Sequence, residues 1–183
     1  MHVSIFKIVD NLPNVKTEFY QLQYGFFSTN LLFKNLLYIL KHHFIYQFKI
    51  LSYICGLDYP KNFNRFKLVY DLLSIKYNNR LRFKIAIHET MPVKSITFIF
   101  LGAVWWESEV WDMFGIIFSR QKTIARLLND YGFYGYPLRK NFPLSGFLES
   151  KYHLFKNKIL YNKIELAQAY RLFRQASPWE KIV

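Results

Sequence analysis

The sequence has a single cysteine, Cys55, among its 183 residues. A disulfide framework is therefore excluded, and so are iron–sulfur and zinc sites built by this chain alone, because such sites take several cysteine ligands. The histidines do not have the spacing of metal ligands either; they are His2, His42, His43, His88 and His153. We therefore expect no metal site, and we interpret Cys55, which lies in an apolar segment, as a small core residue.

Motifs that carry nucleotide or nucleophile chemistry are also absent from the sequence. It contains no Gly-x-Gly-x-x-Gly loop, no Walker loop and no serine or cysteine in a nucleophile-elbow context. The acidic residues form one cluster, Glu107, Glu109 and Asp112, in which Glu109 and Asp112 can share a helix face. This cluster is either an acid–base pair or a set of carboxylates held by arginine or lysine. Apart from the acid–base alternative for this cluster, the sequence predicts no catalytic, cofactor-binding or metal-binding residue.

Acidic residues are few: there are 12, against 25 lysines and arginines, which gives a net charge of +13. This excess predicts an anionic partner, which is nucleic acid, a phospholipid surface or an acidic protein face. Basic residues interspersed with aromatic ones leave a mitochondrial ribosomal or other RNA-binding protein as an alternative, which rests on charge and aromatic content alone. Phe, Ile, Lys, Tyr and Asn are abundant, and their AT-rich codons are typical of many organelle genes.

Long apolar runs are absent as well. The longest covers residues 98–106, which is much shorter than the ~20 residues that a membrane-spanning helix needs. We therefore expect no transmembrane segment. Hydrophobic residues make up 52% of the chain, which excludes a disordered protein and is typical of an ordinary folded domain.

Hydrophobic periodicity predicts both helices and strands. Alternation predicts strands at residues 48–57, 65–73 and 80–88, and the last two form a hairpin. Helical spacing predicts helices at residues 29–44, 103–114 and 161–176, and one or two helical turns at 123–129. Gly115 fits the left-handed residue that ends a helix. The predicted fold class is α+β, with a small mixed or antiparallel sheet, packed helices and an extended basic C-terminal arm.

Two packing predictions follow from the helical spacing. The inner face of the first helix is predicted to carry Leu32, Leu36, Ile39 and His43. An aromatic cluster around the second helix is interpreted as core rather than interface; it consists of Trp105, Trp106, Trp111 and Phe114.

Charge and periodicity divide the chain at residue 118. Residues 1–118 are predicted to form the core domain, whereas residues 119–183 carry a net charge of +8 with little periodicity. A segment of that kind cannot bury enough apolar surface to order itself. We predict that residues 119–183 are an extended arm lying on partner subunits; the alternative is a partly disordered tail.

Two ordered blocks carry a family resemblance. Residues 103–116 read AVWWESEVWDMFGI, and residues 130–146 read DYGFYGYPLRKNFPLSG. They resemble the signatures of the thirty-kilodalton subunit of respiratory complex I (the subunit 9 or C-subunit family), roughly A-N-W-x-E-R-E-x-x-D-M-F-G-I and D-Y-G-F-x-G-H-P-L-R-K-D-F-P-L-x-G. The predicted hairpin is also similar to the core strands of that family. The signature residues present here are Glu107, Glu109, Asp112, Phe114 and Gly115.

The chain departs from the family pattern at several positions. Ser108 replaces the arginine between the two glutamates, Val104 replaces an asparagine, Tyr136 a histidine and Asn141 an aspartate. Loss of the arginine removes a cation that a buried carboxylate would need. The departures indicate a divergent mitochondrial member. A plastid-type homologue and a membrane-bound hydrogenase subunit are alternatives within the family.

The resemblance implies a non-catalytic core subunit of the proton-pumping NADH:ubiquinone oxidoreductase, or complex I. It would lie in the peripheral arm, on the matrix side of the mitochondrial inner membrane, as part of a hetero-oligomer. Its partners would be the quinone-module subunits of the forty-nine-kilodalton and twenty-kilodalton types, with no nucleic acid. Iron–sulfur clusters and FMN would be bound by partner subunits and not by this chain.

The turn-rich block 131–146 is the predicted partner contact, with Arg139 and Lys140 as charged anchors. The alternative is a structural loop that folds back on its own domain. The predicted contact residues are Gly135, Pro137, Leu138, Arg139, Lys140 and Pro143.

Overall fold

A computed structural model describes the backbone of residues 16–20 and 23–28 and all of residues 33–171. The chain divides into two compact units, Met1–Phe142 and Pro143–Val183. Residues 119–142, which were predicted to belong to the arm, lie in the first unit. That the arm lies on partner subunits stays a prediction.

The first unit is built on a five-stranded mixed sheet with the strand order β1-β2-β5-β4-β3. The strands are β1 (Lys16–Tyr20), β2 (Gln23–Ser28), β3 (Ile50–Asp58), β4 (Phe66–Ser74) and β5 (Asn79–Ile87). Strands β2 and β5 are parallel, and the other neighbours are antiparallel. The three predicted strands and the predicted hairpin, β4–β5, are confirmed, as is the α+β fold class.

Alternation along β4 and β5 places one row of apolar side chains in the core. The antiparallel register pairs Tyr70 with Phe83 and Leu68 with Ile85, so these side chains point to the same face. All four are buried, whereas Arg80 on the opposite face is exposed. Both strands therefore turn their apolar phase towards the core.

The helix α1 (Phe33–His42) packs on this face through a different stripe from the predicted one. Its buried residues are Phe33, Leu36, Leu37 and Leu40. The predicted face was wrong at Ile39, which is 46% exposed, and at the half-buried His43; Leu32 lies outside the described residues. The Phe33 ring decides the rotation of the helix, because its centroid lies 4.9 Å from that of Tyr70 and 5.9 Å from that of Phe83.

The helix α2 (Ala103–Phe114) packs against β3. Gly115 ends it in the left-handed conformation, with φ +74° and an N–H that donates to the Trp111 carbonyl at 2.8 Å. Both the helix and its end are confirmed. Two short strands flank it, β6 (Val93–Lys94) and β7 (Phe118–Ser119), and they pair in parallel.

Two core assignments made from the sequence were wrong. Cys55 is exposed, because it lies on the outward phase of β3, between the buried Ile54 and Gly56. Trp105 is also exposed, since it lies in the first turn of α2 on the side away from the sheet core, whereas Phe114 is buried.

The second unit contains a hairpin of β8 (Leu148–His153) and β9 (Lys158–Lys163), joined through the short 3₁₀ helix Leu154–Lys156. The predicted helix at 161–176 was wrong for residues 161–171, because Tyr161 pairs with Ser150 in the hairpin and residues 164–171 form no helix. Residues 172–176 lie outside the described residues. Across the described part of the chain, no helix has both the length and the apolar character needed to cross a membrane.

Candidate functional site

The buried carboxylate of Asp112, near the C-terminus of α2, accepts hydrogen bonds from the loop at residues 126–129. Its Oδ2 accepts hydrogen bonds from the backbone N–H groups of Leu127, Leu128 and Asn129 at 3.1, 3.0 and 3.1 Å. Its Oδ1 accepts from Arg126 Nη1 and from Asn129 Nδ2, both at 2.8 Å. The carboxylate thus satisfies three consecutive backbone donors and one cation.

This arrangement explains both the charge of Asp112 and the shape of the loop. Burial alone would raise the pKa of the Asp112 carboxyl, but the bonds from Leu128, Asn129 and Arg126 outweigh it and lower the pKa below its usual value. The predicted helical turns at 123–129 were wrong, because the loop N–H groups that a helix would use donate to Asp112 instead.

The Arg126 guanidinium lies among three aromatic rings of the two signature blocks. Its Cζ is 5.4 Å from the ring centroid of Trp111, 5.8 Å from that of Phe133 and 5.6 Å from that of Tyr136. Its Nη1 also donates to the Gly135 carbonyl at 3.3 Å. Cation–π attraction therefore adds to the ion pair with the carboxylate and joins the two blocks.

A second arginine satisfies the last carbonyls of α2. Arg139 Nε donates to the Phe114 carbonyl at 2.6 Å, and its Nη1 binds Glu89 Oε1 at 2.6 Å. The Leu138 N–H donates to the Met113 carbonyl at 3.2 Å. Carbonyls at a helix C-terminus have no partner in the helix and carry partial negative charge, so a guanidinium is well suited to this position.

Two glycines permit the close packing around this helix end. A Cβ on Gly115 would lie 2.6 Å from the Tyr136 ring and 2.7 Å from Arg139 Nη2. A Cβ on Gly56 would lie 2.7 Å from the Phe114 ring. The signature residues Phe114 and Gly115 therefore hold the helix against β3 on one side and against the second block on the other.

A further buried carboxylate, Asp58 at the end of β3, holds the segment 126–142 at Lys140, far along the chain from Arg126. Arg65 binds it through Nε and Nη2 at 2.8 and 2.9 Å, and the Lys140 N–H donates to Oδ2 at 2.8 Å. The guanidinium of Arg65 holds the pKa of Asp58 below its usual value. Arg65 also binds Glu89 Oε2 at 3.3 Å and Asn141 Oδ1 at 3.1 Å.

Glu107 is fully buried and is held without a cation. Its Oε2 accepts from Ser95 Oγ and its Oε1 from the Ile96 N–H, both at 2.8 Å, and no ion pair to it occurs among residues 33–171. Burial raises its pKa to about 7. Ser108, in place of the family arginine, is buried and accepts a bond from Gln121 Nε2 at 3.2 Å, so an amide rather than a cation occupies this region.

The three carboxylates of the predicted cluster, Glu107, Glu109 and Asp112, therefore lie in different environments. Both oxygens of Asp112 are occupied by Arg126 and by loop donors, which favours the interpretation of carboxylates held by partners over an acid–base pair. Glu107 has a hydroxyl and an N–H as partners, and Glu109 is half-buried.

The predicted contact residues lie mostly on a loop that folds onto its own unit. Arg139 is engaged by Phe114 and Glu89, and Gly135 and Pro137 are half-buried. The other three are exposed; they are Leu138, Lys140 and Pro143. Contact of these residues with a partner stays a prediction. Sequence reasoning assigned no site role to Arg126, Asn129, Asp58 or Arg65, because no local pattern marks the long-range partner of a carboxylate.

Known proteins resemble this chain in both fold and sequence. A chain of an archaeal respiratory complex, the membrane-bound sulfane sulfur reductase, shares the fold with a TM-score of 0.68 over 78% of this chain and 85% of its own length, at 21% identity. NADH-ubiquinone oxidoreductase subunit 9 of Reclinomonas americana is 45% identical over 154 residues, which is 84% of this chain and 74% of that protein. NADH dehydrogenase [ubiquinone] iron-sulfur protein 3 of Beta trigyna is 46% identical over 154 residues, with 84% and 80% coverage.

The Beta trigyna relative is named as an iron–sulfur protein, but the donors of this chain do not fit a cluster. Clusters are held mainly by four cysteine thiolates, and this sequence has one cysteine. Residues 33–171 also bring together no group of three or more histidine, cysteine, aspartate or glutamate side chains suited to a metal ion.

The two blocks and the strands that support them coincide with a family match. The sequence profile described as "Respiratory-chain NADH dehydrogenase, 30 Kd subunit" matches residues 31–148. This range includes α1, the β3–β5 strands, α2 and the loop that Asp112 and Asp58 hold. The chain therefore belongs to the family of the thirty-kilodalton subunit of respiratory-chain NADH dehydrogenase.

Proposed function

We propose that this chain is a non-catalytic scaffold subunit of the quinone module of proton-pumping NADH:ubiquinone oxidoreductase. Family membership and the names of the relatives support this role. The observation that carries it is that Asp112, Arg126 and Arg139 use their polar groups in internal bonds that hold residues 126–142 on α2. The signature residues thus build a rigid body instead of a reaction centre.

A scaffold contributes to electron transfer by fixing distances between its partners. Iron–sulfur clusters and FMN would be bound by other subunits, because the donors of this chain do not fit a cluster. The complex would lie at the mitochondrial inner membrane with this subunit on the matrix side, and the abundance of residues with AT-rich codons supports a mitochondrial gene. The comparisons give the RNA-binding alternative no support.

The hairpin of the second unit supplies a surface that fits a partner subunit. Its register places four large apolar side chains on one face, and each is more than half exposed: Leu148, Tyr152, Ile159 and Tyr161. An isolated two-stranded hairpin is marginally stable in water. Full burial of each such side chain would contribute about 1.5–3 kcal/mol. We propose that this face lies on the forty-nine-kilodalton-type subunit, with the twenty-kilodalton-type subunit as the second partner.

The first test is a native gel of mitochondrial membranes in mild detergent, stained for NADH dehydrogenase activity and analysed by mass spectrometry. We expect peptides of this chain in the large active band, where they persist through salt washing. Migration with ribosomal particles, or as a free protein, would overturn the proposal.

A pair of adjacent substitutions tests the hairpin face. Tyr161→Asp places a charge on the apolar face, whereas Asn162→Asp places the same charge on the opposite face of the same strand. We expect the first variant to be lost from the active band and the second to assemble normally. Equal incorporation of the two variants would contradict docking through this face.

A charge reversal tests the predicted contact at Lys140. Its backbone N–H binds Asp58 whatever the side chain, and the side chain is exposed, so Lys140→Glu changes the surface and leaves the loop anchored. We expect weaker incorporation than for Lys61→Glu, a reversal at an exposed lysine outside the loop. If the two variants assembled equally well, Lys140 would not be a partner contact.

A further inference from the structure

Three large apolar side chains are exposed together where the chain enters α2. Phe98 is 85% exposed, Leu101 86% and Trp105 68%. Their spacing of three and then four residues places them on one side of a helical path. The backbone follows such a path here, because the N–H groups of Ala103 and Val104 donate to the carbonyls of Phe100 and Leu101. We call these three side chains the Trp105 surface.

The backbone beneath the Trp105 surface is firmly held. Ile96, Ile99 and Phe100, which alternate with the exposed residues, are buried. The Ile96 N–H is bound by Glu107 at 2.8 Å, and Lys41 Nζ donates to the Ile99 carbonyl. The exposed side chains are therefore displayed in a fixed arrangement, which lowers the entropic cost of binding a partner.

The charges around the Trp105 surface are mainly positive. Lys94 pairs across β6–β7 with Ser119, and Ser119 is followed along the chain by Arg120 and the exposed Lys122. Gln121 Nε2 donates to the Val104 carbonyl at 3.1 Å, which brings this basic segment to the first turn of α2. That turn contains no acidic residue. The next carboxylate of the helix that is not fully buried is Glu109, one turn further on.

We propose that the Trp105 surface is a second docking site, which binds a protein segment with apolar side chains flanked by aspartate or glutamate. The proposal rests on the proposed function in that the segment belongs to another subunit of the complex, but it is independent of the hairpin. Contiguous apolar side chains with a charged rim are typical of protein interfaces. Three nearby cations fall short of the four to eight that mark recognition of anionic lipid, which favours a protein over a membrane.

Two substitutions at one position test the apolar contact and the charge separately. Leu101→Glu and Leu101→Arg both remove the aliphatic side chain, but only the first repels an acidic partner. We expect the glutamate variant to fall at least tenfold in the active native-gel band and the arginine variant to fall less. The control is Ile75→Glu, at an aliphatic side chain that is 70% exposed in the β4–β5 turn, and we expect it to assemble as the unmodified chain does.

Each outcome decides a part of the proposal. Normal incorporation of Leu101→Glu would overturn docking at this surface, and equal losses for the glutamate and arginine variants would overturn the acidic partner. If the unmodified chain were itself absent from the active band, the proposed function would fail instead. Binding of the full chain to vesicles of phosphatidylcholine with a minor share of phosphatidylserine, if lost in Leu101→Glu, would identify a membrane and overturn the protein partner.

Zero-length carbodiimide cross-linking of the purified complex gives an independent measurement. We expect Lys94 or Lys122 to be joined to an aspartate or glutamate of another subunit. We also expect Trp105 to be protected from hydroxyl-radical labelling in the complex relative to the free full-length chain, whereas an exposed control outside the surface, Phe63, shows the labelling level of open solvent. Unprotected Trp105 together with no intersubunit cross-link would refute the proposal.

Discussion

Replacement of Glu107 by glutamine tests the inference that a buried carboxyl here stays protonated up to neutral pH. Glutamine has the same shape and keeps both hydrogen bonds: its oxygen accepts from the Ile96 N–H, and its amide donates to Ser95 Oγ. Ser95 Oγ can then donate to Thr97 Oγ1, which lies 2.9 Å away. The substitution therefore removes the titration of residue 107 while it leaves the packing in place.

The magnitude follows from the pKa of Glu107, which burial raises from 4.5 to about 7. Between these values the folded protein binds a proton that the unfolded chain has released, so the stabilising effect of protonation is fully present below pH 4.5 and lost as the pH rises to about 7. Each pH unit of that interval corresponds to about 1.4 kcal/mol, which gives about 3 kcal/mol in total. We therefore expect the stability of Glu107→Gln, relative to the unmodified chain, to rise by about 3 kcal/mol between pH 4.5 and pH 8.

Urea unfolding of the purified full-length chain at several pH values, followed by tryptophan fluorescence, measures this difference. Other titrating groups are common to both proteins and cancel in the comparison. Glu165→Gln, at an exposed glutamate, is the matched control for the loss of one carboxyl group. If the stability difference for Glu107→Gln were constant from pH 4.5 to pH 8, burial would not raise the pKa of Glu107, and the argument from its burial would be refuted.

The remaining predictions concern the end of α2. Asp112→Ala leaves Arg126 and three backbone N–H groups without their acceptor, so we expect a loss of about 3–5 kcal/mol in urea unfolding; a loss below about 1 kcal/mol would contradict this account. Gly115→Ala combines a positive φ with ring contact, and we expect a loss of about 2–3 kcal/mol. Gly132→Ala has a positive φ but open space and should lose about 1 kcal/mol, whereas Gly102→Ala has neither problem and should be nearly neutral. Equal thermal shifts for the variants of Gly115 and Gly132 would show that the ring contact does not matter.

The elements that were predicted correctly from the sequence are those determined by residues close together along the chain. In β5 every second residue from Leu81 is apolar, which marks the face of the strand that lies in the core. The short Tyr77–Asn79 turn limits the possible pairing registers of β4 with β5, so the hairpin could be predicted from this segment alone. The end of α2 is likewise determined by one residue, because Gly115 adopts the left-handed conformation that glycine tolerates best. In α1 two apolar stripes overlap, so the sequence pattern alone does not show which of them faces the sheet. The contact of Phe33 with Tyr70 shows that the stripe containing Phe33 does.

The candidate site could not be derived from local patterns, because its bonds join distant parts of the chain. Asp58 and Lys140 are 82 residues apart, and Arg139 and Glu89 are 50 apart. The wrong helix at 123–129 has the same origin: Asp112 takes the N–H groups that a helix there would have used. The family resemblance pointed to Asp112 and Arg139, whereas their partners, and the role of Asp58, are seen only in the structure.

The contacts also explain why the two signature blocks occur together. Arg139 and Leu138 of the second block satisfy the carbonyls of Phe114 and Met113 in the first, and Gly115 leaves room for the second block to approach. Neither block can form these contacts without the other, because unpaired carbonyls and an uncompensated buried charge would each cost several kcal/mol. The blocks are therefore two halves of one structural unit. A chain that keeps Asp112 and Gly115 but has Ser108 in place of the family arginine can retain the fold. The hydrogen bonds that join the blocks run through Arg126, Leu138 and Arg139, and none of them involves residue 108.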